Sequence, residues 1–366
     1  MPSLPPRTPL NVLIAASGTG GHVMPALAVA EALRARGAEI TFISARGRSG
    51  HGFAREHGFA EESIPLQGFA RRVSLGTLRT IWMAVVAVPR AMAIVRRTKA
   101  DVVVTGGGYM AGPVGLAAWL LRRPAIALEA DSHLGLANRV IAPLAHRVVL
   151  AFPLKGRVSP KYIVLGRPVR ESVRNATRVS GRRHFGIAPE ATVVLIVGGS
   201  QGARSINAAA VDAFGPHPPF EVIHVVGPKN VEATRSLFGD QTPSPQYRIE
   251  GFLDDLPEAI AAADLVVSRS GGSVFELAAI GRPSILVPYP HATADHQATN
   301  AKWLVSAGAA VVLPDAECSG VRLRELVGAL LSDPPRREAM ADAARRIGRP
   351  DAAEKIADLV VASVRS

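Results

Sequence analysis

One histidine lies where a glycine-rich turn meets a predicted helix. The turn, residues 17–22, follows an apolar run at 12–16 and precedes an apolar helical pattern at 25–33. A strand, a glycine turn and a helix bring backbone N–H groups close to a bound anion or sugar. Histidine titrates near neutral pH, so His22 at the end of this turn is a candidate functional residue. The alternative is a turn that only packs the strand against the helix, since its spacing matches neither common nucleotide-loop pattern.

A second group of candidate residues follows a later apolar run and the glycine pair Gly271 and Gly272. Ser273 and Glu276 match a capping box, in which a serine caps a helix and a glutamate reaches back to it. In the alternative interpretation, Glu276 binds two ribose hydroxyls, as acids do in nucleotide sites. The two glycines would then let a diphosphate approach the amino terminus of the helix.

A third group carries amide and imidazole side chains at helical spacing. On a helix, His296 and Asn300 share one face and Gln297 lies beside them. Such a face after a strand suits sugar hydroxyls, and the alternative is a solvated helix start.

Three further charged residues were considered as ligands. Arg170, near a predicted domain boundary, is either a phosphate partner or a solvated charge. Asp254 and Asp255 are interpreted as the start of a helix rather than as metal ligands, since no partner cluster is evident.

The elements that must position these residues repeat four times along the chain. Each is a continuous apolar run followed by glycines, with the turns at residues 17–22, 106–109, 198–202 and 270–273. Continuous rather than alternating apolar runs are typical of parallel strands covered on both faces. Because the four fall as an early pair and a late pair, they predict two similar βαβ domains. Ligands bind at the carboxyl ends of such strands, so all four turns are expected to face one cleft.

The predicted domain boundary lies near residue 165. We expect an N-terminal domain at 1–165, a C-terminal domain at 166–345, and an amphipathic helix within 346–366 that packs back on the first domain. Further strands are predicted at residues 40–44, 125–128, 147–151, 163–165, 221–226, 284–287 and 310–313. The fold class is therefore α/β.

Composition and charge bound the function. The chain has 366 residues, a formal net charge of +12 and a single cysteine, Cys318. One cysteine excludes an intrachain disulfide and favours a reducing compartment. The positive charge indicates an anionic partner. No RNA-binding signature, zinc-ligand cluster or long basic block is present, which argues against nucleic acid as that partner.

An unusual apolar helix is predicted at residues 77–97, with arginines around it and Pro89 expected to kink or divide it. It is either a core helix or an apolar patch with a basic rim that docks on an anionic membrane surface. The patch residues would be Leu78, Ile81, Trp82 and Val85. No uncharged stretch reaches the roughly 20 residues needed to span a bilayer, so the expected protein is soluble or lies on a surface.

Five motifs in order carry a family resemblance: residues 18–22, residues 106–109, residues 198–203, residues 268–271 with Glu276, and residues 296–301. Together they resemble the MurG family, the GT-B glycosyltransferases of peptidoglycan synthesis, over residues 10–365. The resemblance implies two Rossmann-like domains facing a cleft, with the C-terminal helix returning to the first domain. It also implies transfer of N-acetylglucosamine (GlcNAc) from UDP-GlcNAc to the C4 hydroxyl of N-acetylmuramic acid in lipid I. The products would be lipid II and UDP, with inversion and without a cofactor or metal.

The resemblance further assigns a place and partners. The N-terminal half would hold lipid I and the C-terminal half UDP-GlcNAc. The enzyme would act peripherally at the cytoplasmic face of the inner membrane, together with other cell-wall synthesis proteins.

Residue roles follow from the same resemblance. His22 corresponds to the general base, and Gly107, Gly108 and Tyr109 fall in the acceptor half. The residues corresponding to UDP-GlcNAc ligands are Thr19, Gly20, Gly21, Asp131, Asn138, Arg170, Ser200, Leu253, Gly272, Ser273, Glu276 and Gln297. The chain departs from the family at residues 128–131, where Leu-Glu-Ala-Asp replaces the usual His-Glu-Gln-Asn, and its loop at 270–276 is one residue shorter.

Three other functions were weighed. One is a GT-B transferase with a different acceptor, and another is a non-catalytic nucleotide-sugar-binding protein at the membrane, which would not need His22. A Rossmann oxidoreductase is disfavoured because no GxGxxG with an acid about 20 residues on is present.

Overall fold

A computed structural model of the chain describes residues 9–16, 20–46, 51–65, 75–157, 160–292 and 295–365, without the side chains of 75–85 and 365. The chain divides into two compact units. The first, the N-terminal unit, comprises Met1–Glu171 together with Asp351–Ser366, and the second, the C-terminal unit, comprises Ser172–Pro350. The first unit ends at residue 171, slightly beyond the predicted 165. The chain returns to the first unit after residue 350, slightly beyond the predicted 345.

The N-terminal unit is built on a seven-stranded parallel sheet. Its strands are β1 (Asn11–Ala15), β2 (Glu39–Ala45), β3 (Ala60–Ile64), β4 (Val102–Thr105), β5 (Ala125–Glu129), β6 (Arg147–Leu150) and β7 (Tyr162–Val164). Their order across the sheet is β3-β2-β1-β4-β5-β6-β7. The apolar residues of β1 and β4 are fully buried, because helices cover both faces of the sheet.

The helices of this unit cover both faces. They are α1 (Gly20–Arg34), α2 (Phe53–Glu56), α3 (Leu75–Arg97), α4 (Ala111–Leu120), α5 (Leu136–Ile141) and, from the end of the chain, α15 (Ala352–Arg365). Helix α15 packs against α1, and its buried residues Ala353, Ile356, Ala357 and Val360 join the core formed by α1 and the sheet.

Helix α3 is continuous across Pro89, so the alternative that this proline divides the helix is wrong. Its later part belongs to the core, where Ala87, Ala91 and Val95 are buried against α4 and the sheet. The predicted patch side chains Leu78, Ile81, Trp82 and Val85 lie outside the described residues. The question of a membrane patch therefore stays a prediction for that end of the helix.

The C-terminal unit repeats the same architecture with a six-stranded parallel sheet. Its strands are β8 (Val193–Val197), β9 (Glu221–Val225), β10 (Tyr247–Glu250), β11 (Leu265–Ser268), β12 (Ser284–Leu286) and β13 (Ala310–Val312). Their order is β10-β9-β8-β11-β12-β13, so the first strand of the unit again lies inside the sheet. This confirms the predicted α/β fold with two Rossmann-like domains.

The helices of the C-terminal unit lie on both faces of its sheet. They are α6 (Glu171–Asn175), α7 (Arg178–His184), α8 (Arg204–Phe214), α9 (Val231–Ser236), α10 (Leu256–Ala262), α11 (Ser273–Ile280), α12 (His296–Ser306), α13 (Gly320–Leu331) and α14 (Pro334–Ile347). Helix α10 begins directly after Asp255, with Pro257 in its first turn. The interpretation of Asp254 and Asp255 as a helix start is confirmed.

The strands predicted from apolar runs all occur, with small differences at their ends. Two strands, β3 and β10, were missed, and both are edge strands. Their sequences, AEESI and YRIE, contain few apolar residues. Edge strands tolerate polar and charged side chains, so their sequences lack the continuous apolar run that identifies an inner strand.

A polar chain of three residues is buried under β9. The ring of His224 lies 3.0 Å from the Tyr247 hydroxyl and 3.1 Å from Asn207 Oδ1, and Asn207 Nδ2 donates to Val226 O at 3.0 Å. Burial lowers the pKa of His224 to about 3 and raises that of Tyr247. His224 is therefore neutral throughout the pH range in which the protein works.

This neutral histidine predicts acid sensitivity. Below pH 6.5 the unfolded chain binds a proton at this residue and the folded chain does not, so the residue's contribution to stability falls as pH falls. The free energy of unfolding should decline by about 1.4 kcal/mol per pH unit from His224 between pH 6.5 and about 3. Urea unfolding between pH 7 and 4 should show a shallower decline for His224→Gln than for the unsubstituted chain, whereas parallel declines would contradict this account.

No helix among the described residues is both long and apolar enough to cross a membrane.

Candidate active site

His22 lies in the first turn of α1, beside the glycine turn that follows β4. A Cβ placed at Gly107 would lie 3.0 Å from His22 Nδ1, so only glycine allows the turn to approach the ring this closely. Gly107 also has φ +84°, which favours glycine. The turn after β4 thus meets the first turn of α1 at His22.

The environment of His22 keeps its imidazole neutral. Burial is the largest cause and lowers its pKa below 6.5, and Arg167 lowers it further, while Asp131, Glu129 and the Gly106 backbone act in the opposite direction. Nδ1 is buried and has no hydrogen-bond partner among the described residues. A neutral imidazole can accept a proton at the nitrogen that an acceptor hydroxyl reaches, and the buried Nδ1 is closed to solvent.

Glu129 organises the loop that follows β5. Its carboxylate is buried and accepts hydrogen bonds from Asp131 N at 3.1 Å, Gly135 N at 2.8 Å and Asn138 Nδ2 at 3.0 Å. Asn138 also donates to Leu128 O at 2.9 Å. Of the two predicted donor ligands here, Asp131 is partly exposed and close enough to His22 to affect its pKa, whereas Asn138 is buried and bonds to the loop itself.

Arg167 fixes two of these segments in place. It is buried and donates to Gly21 O at 2.6 Å and to Ala130 O at 3.3 Å, so one guanidinium ties the turn of His22 to the loop after β5. Arg170, the predicted nucleotide-sugar ligand, instead pairs with Glu31 of α1, with Nη2 to Oε1 at 3.1 Å.

The remaining predicted residues of the N-terminal unit surround the same turns. Gly20 and Gly21 begin α1, and Thr19 lies outside the described residues. Gly108 continues the turn of Gly107 with φ +69°, and Tyr109 is half-buried against the core between α3 and α4.

In the C-terminal unit, the turn after β8 leads to the amino terminus of α8. Ser200 is exposed at its tip. A Cβ at Gly202, which has φ +73°, would lie 1.9 Å from Val226 O, so this turn requires glycine to pack against the end of β9. The N-cap of α8 is Ala203, which has no side-chain acceptor. The first N–H groups of the helix are therefore available for an anion.

Asn230, in the short helical turn that follows β9, holds this glycine turn in place. Its Nδ2 donates to Gln201 O at 3.0 Å and to Val226 O at 3.0 Å. The side chain thus joins the turn after β8 to the end of β9. It holds the backbone of Gln201, which precedes Gly202, and that of Val226, against which Gly202 packs.

The glycine pair after β11 starts α11. Gly272 is the N-cap and has no side-chain cap, and Ser273 is already the first helical residue. The predicted capping box is therefore wrong, because the glycine takes the position that the serine would need. Ser273 Oγ lies 3.4 Å from both Ser268 Oγ and Arg269 O, and Glu276 is partly exposed in the first turn of α11.

The start of α12 is tied to the same glycine pair. Gln297 Oε1 accepts from Tyr289 N at 2.9 Å, and its Nε2 faces Gly271. Ser270 Oγ donates to Gln297 O at 2.8 Å, and Asn300 Nδ2 donates to Ser270 O at 3.0 Å. The amide oxygen of Gln297 is thus fixed by the protein, which leaves its N–H₂ group toward the glycines.

Leu253, the last predicted ligand of this unit, is partly exposed in the turn after β10. The predicted ligands of the C-terminal unit therefore follow β10, β8, β11 and β12, at the carboxyl edge of one parallel sheet. That edge is where doubly wound sheets bind ligands. Among the described residues, no group of three His, Cys, Asp or Glu side chains is arranged to hold a metal ion.

Comparisons with known proteins show the family of the chain. The model of the glycosyltransferase family 28 N-terminal domain matches residues 12–150, and that of the family 28 C-terminal domain matches residues 193–356. A relative from Acidithiobacillus ferrooxidans is 39% identical over 95% of this chain and 96% of its own. The chain belongs to glycosyltransferase family 28.

Two further family 28 proteins extend the likeness. A relative from Moorella thermoacetica is 40% identical over 98% of this chain and 100% of its own. Both relatives are named UDP-N-acetylglucosamine–N-acetylmuramyl-(pentapeptide) pyrophosphoryl-undecaprenol N-acetylglucosamine transferase. The crystal structure of Acinetobacter baumannii MurG has a TM-score of 0.76 and 30% identity, covering 97% of this chain and 100% of that one.

Sequence reasoning about this family 28 chain missed three residues that organise the candidate site: Glu129, Arg167 and Asn230. Arg167 acts on segments far away in sequence, whereas the partners of Glu129 lie two to nine residues after it and those of Asn230 lie 29 and four residues before it. The sequence shows Glu129 at the end of an inner strand and Arg167 before a proline after β7. Neither position indicates which groups the side chain binds.

Proposed function

We propose that the chain transfers GlcNAc from UDP-GlcNAc to the C4 hydroxyl of N-acetylmuramic acid in lipid I, giving lipid II and UDP. The observation that carries the proposal is the near full-length likeness to relatives named for this reaction, at 39% and 40% identity. The direct test is transfer of labelled GlcNAc to a lipid I analogue by the purified chain.

The C-terminal unit is proposed to bind the donor. The turn at 198–202 and the first N–H groups of α8 would receive the diphosphate, because a helix amino terminus carries partial positive charge. Glu276 would accept hydrogen bonds from the ribose hydroxyls, and the N–H₂ group of Gln297 would donate to a GlcNAc hydroxyl. The contacts of Gln297 with Tyr289 and Gly271 support this orientation of its amide.

The N-terminal unit is proposed to bind the acceptor and activate it. In an inverting transfer, the acceptor oxygen attacks the sugar C1 on the face opposite the departing UDP, through an oxocarbenium-like transition state. His22 would take the proton of the C4 hydroxyl as the new C–O bond forms and the bond from C1 to UDP breaks. Its lowered pKa keeps the ring in the neutral, proton-accepting form at neutral pH.

The acceptor is a lipid, and we propose that the N-terminal unit reaches it from an anionic membrane surface at the cytoplasmic face of the inner membrane. Trp119 and Leu120 at the end of α4 are 50% and 47% exposed, and the exposed arginines Arg122 and Arg123 follow them. An exposed aromatic and aliphatic pair beside positive charge suits a headgroup region. Association with other cell-wall synthesis proteins remains a proposal from the resemblance alone.

Asn230→Ala should weaken donor use without abolishing the reaction. Two hydrogen bonds that hold the 198–202 turn are lost, and each contributes about 0.5–1.5 kcal/mol. We expect the KM for UDP-GlcNAc to rise about five- to tenfold, with kcat changed less, in steady-state assays. Glu232→Ala, on the exposed face of the neighbouring helix α9, is the matched control and should behave like the unsubstituted chain. Equal KM values for the two variants would contradict the role given to Asn230.

A further inference from the structure

Four arginines converge at the edge of the C-terminal sheet where the strands begin. Arg178 and Arg182 belong to α7, Arg282 precedes β12, and Arg345 belongs to α14. One aspartate, Asp264, lies among them, directly before β11. The predicted donor ligands follow the carboxyl ends of the strands, so this arginine cluster lies at the opposite edge of the same sheet.

Both carboxylate oxygens of Asp264 already accept hydrogen bonds from neighbouring groups. Its Oδ2 accepts from Arg182 Nη2 at 2.9 Å and from Val193 N at 2.8 Å, and its Oδ1 accepts from Arg178 Nη1. A carboxylate in this state fixes α7 against the beginning of β8. It supplies only one negative charge to the arginine cluster.

Arg282 is the member whose charge is least compensated. Its Nη2 donates to Ala261 O at 2.6 Å, while its Nε is buried and has no partner among the described residues. Its pKa is lowered to about 10, first by burial and then by Arg178, with Arg345 and Arg182 also lowering it and only Asp264 raising it. The Nε of Arg182 is likewise buried without a described partner.

Arg345 brings the cluster to the surface. Its side chain crosses Gly281, where a Cβ would lie 2.4 Å from Arg345 Cγ, so it reaches the residue next to Arg282. The side chains of Arg178 and Arg345 are 42% and 51% exposed, so solvent reaches this edge of the cluster, beside the buried Arg182 and the half-buried Arg282. The other nearby carboxylates lie at the rim, with Asp342 on Arg345 at 2.5 Å and Glu190 near Arg182.

We propose that these four arginines bind a phosphate-type oxyanion at the amino-terminal edge of the C-terminal sheet, apart from the donor site. Buried guanidinium groups are costly unless an anion pairs with them. Their planar N–H pairs match phosphate oxygens in a bidentate geometry. The same chemistry is presented by a free phosphate or pyrophosphate ion and by the headgroup of an anionic phospholipid.

Calorimetric titration of the full chain with sodium pyrophosphate, at constant ionic strength, tests the site. We expect saturable binding whose Kd rises at least about tenfold in Arg282→Gln, since one charge-assisted partner is lost. Arg345→Gln is the second variant, because its exposed side chain can be replaced without disturbing the core. Arg336→Gln, an exposed arginine on the same helix α14, removes equal charge and should leave the Kd unchanged.

Two results would overturn the proposal: no saturable pyrophosphate binding by the unsubstituted chain, or equal Kd values for Arg345→Gln and Arg336→Gln. If pyrophosphate fills only the donor site, the second result is found. A second experiment, with lipid vesicles, distinguishes a phospholipid headgroup from a free ion. A lipid headgroup is supported if the chain sediments with phosphatidylglycerol vesicles, if Arg345→Gln weakens this sedimentation, and if added pyrophosphate releases the chain from the vesicles. A free ion is supported if the chain binds pyrophosphate but shows no such vesicle binding.

Discussion

His22→Ala is expected to lower the turnover of GlcNAc transfer by about 100-fold or more while UDP binding persists. A general base contributes about 10²- to 10⁴-fold to turnover. Because UDP is assigned to the other unit, its affinity should not depend on this ring. Single-turnover rates and UDP titrations of the variant measure the two effects separately.

Two comparisons make the His22 result specific. His22→Gln keeps a hydrogen-bonding side chain without a base, and it should lose as much turnover as the alanine variant. His217→Ala, an exposed histidine of the C-terminal unit, should keep full turnover. The lowered pKa of His22 also means that the unsubstituted enzyme keeps its activity as the pH falls through 6.5. Near-normal turnover of His22→Ala would contradict the assignment of His22 as the general base.

Glu276→Ala is expected to raise the KM for UDP-GlcNAc by about 10- to 100-fold. A carboxylate that receives two ribose hydroxyls makes charge-assisted hydrogen bonds worth about 1.5–3 kcal/mol. Gly272, and not a capping box, begins α11, so the expected loss does not come from a lost helix cap. Donor affinity from inhibition by UDP, and the thermal midpoint of each variant, separate binding from stability.

Glu232→Ala serves again as the control. The Glu232 side chain is exposed on α9, and its substitution removes the same charge as Glu276→Ala does. Glu276→Gln retains the shape and one acceptor, so its KM should fall between those of the alanine variant and the unsubstituted chain. An unchanged donor affinity in Glu276→Ala, accompanied by a lower thermal midpoint, would instead favour a purely structural glutamate.

The inner sheet was predictable because its strands carry a strong local signal. The runs at β1, β4, β8 and β11 are apolar at every position or nearly so, and glycine follows each of them within three residues, which places the turns at the carboxyl edge. The edge strands β3 and β10 have no such signal. Their pairing depends on a neighbouring strand rather than on their own sequence.

The candidate site was predictable in its types of residue but not in its contacts. His22 and the glycine turns were found because their neighbours in sequence form the motif. The role of Arg167 depends on a segment far away in sequence, since its guanidinium reaches Gly21 O, and the role of Glu129 depends on how the loop after β5 folds back onto its carboxylate. The capping box at Ser273 failed for a local reason: the preceding glycine ended the turn one residue earlier than the pattern assumes.

The most direct test of the proposed reaction is incubation of the purified chain with labelled UDP-GlcNAc and a lipid I analogue, followed by analysis of the lipid product. We predict label in the lipid fraction, attached to C4 of N-acetylmuramic acid with the anomeric configuration inverted, and an equal amount of UDP. Label recovered only as free sugar, or on a different acceptor while the lipid I analogue stays unmodified, would contradict the proposal.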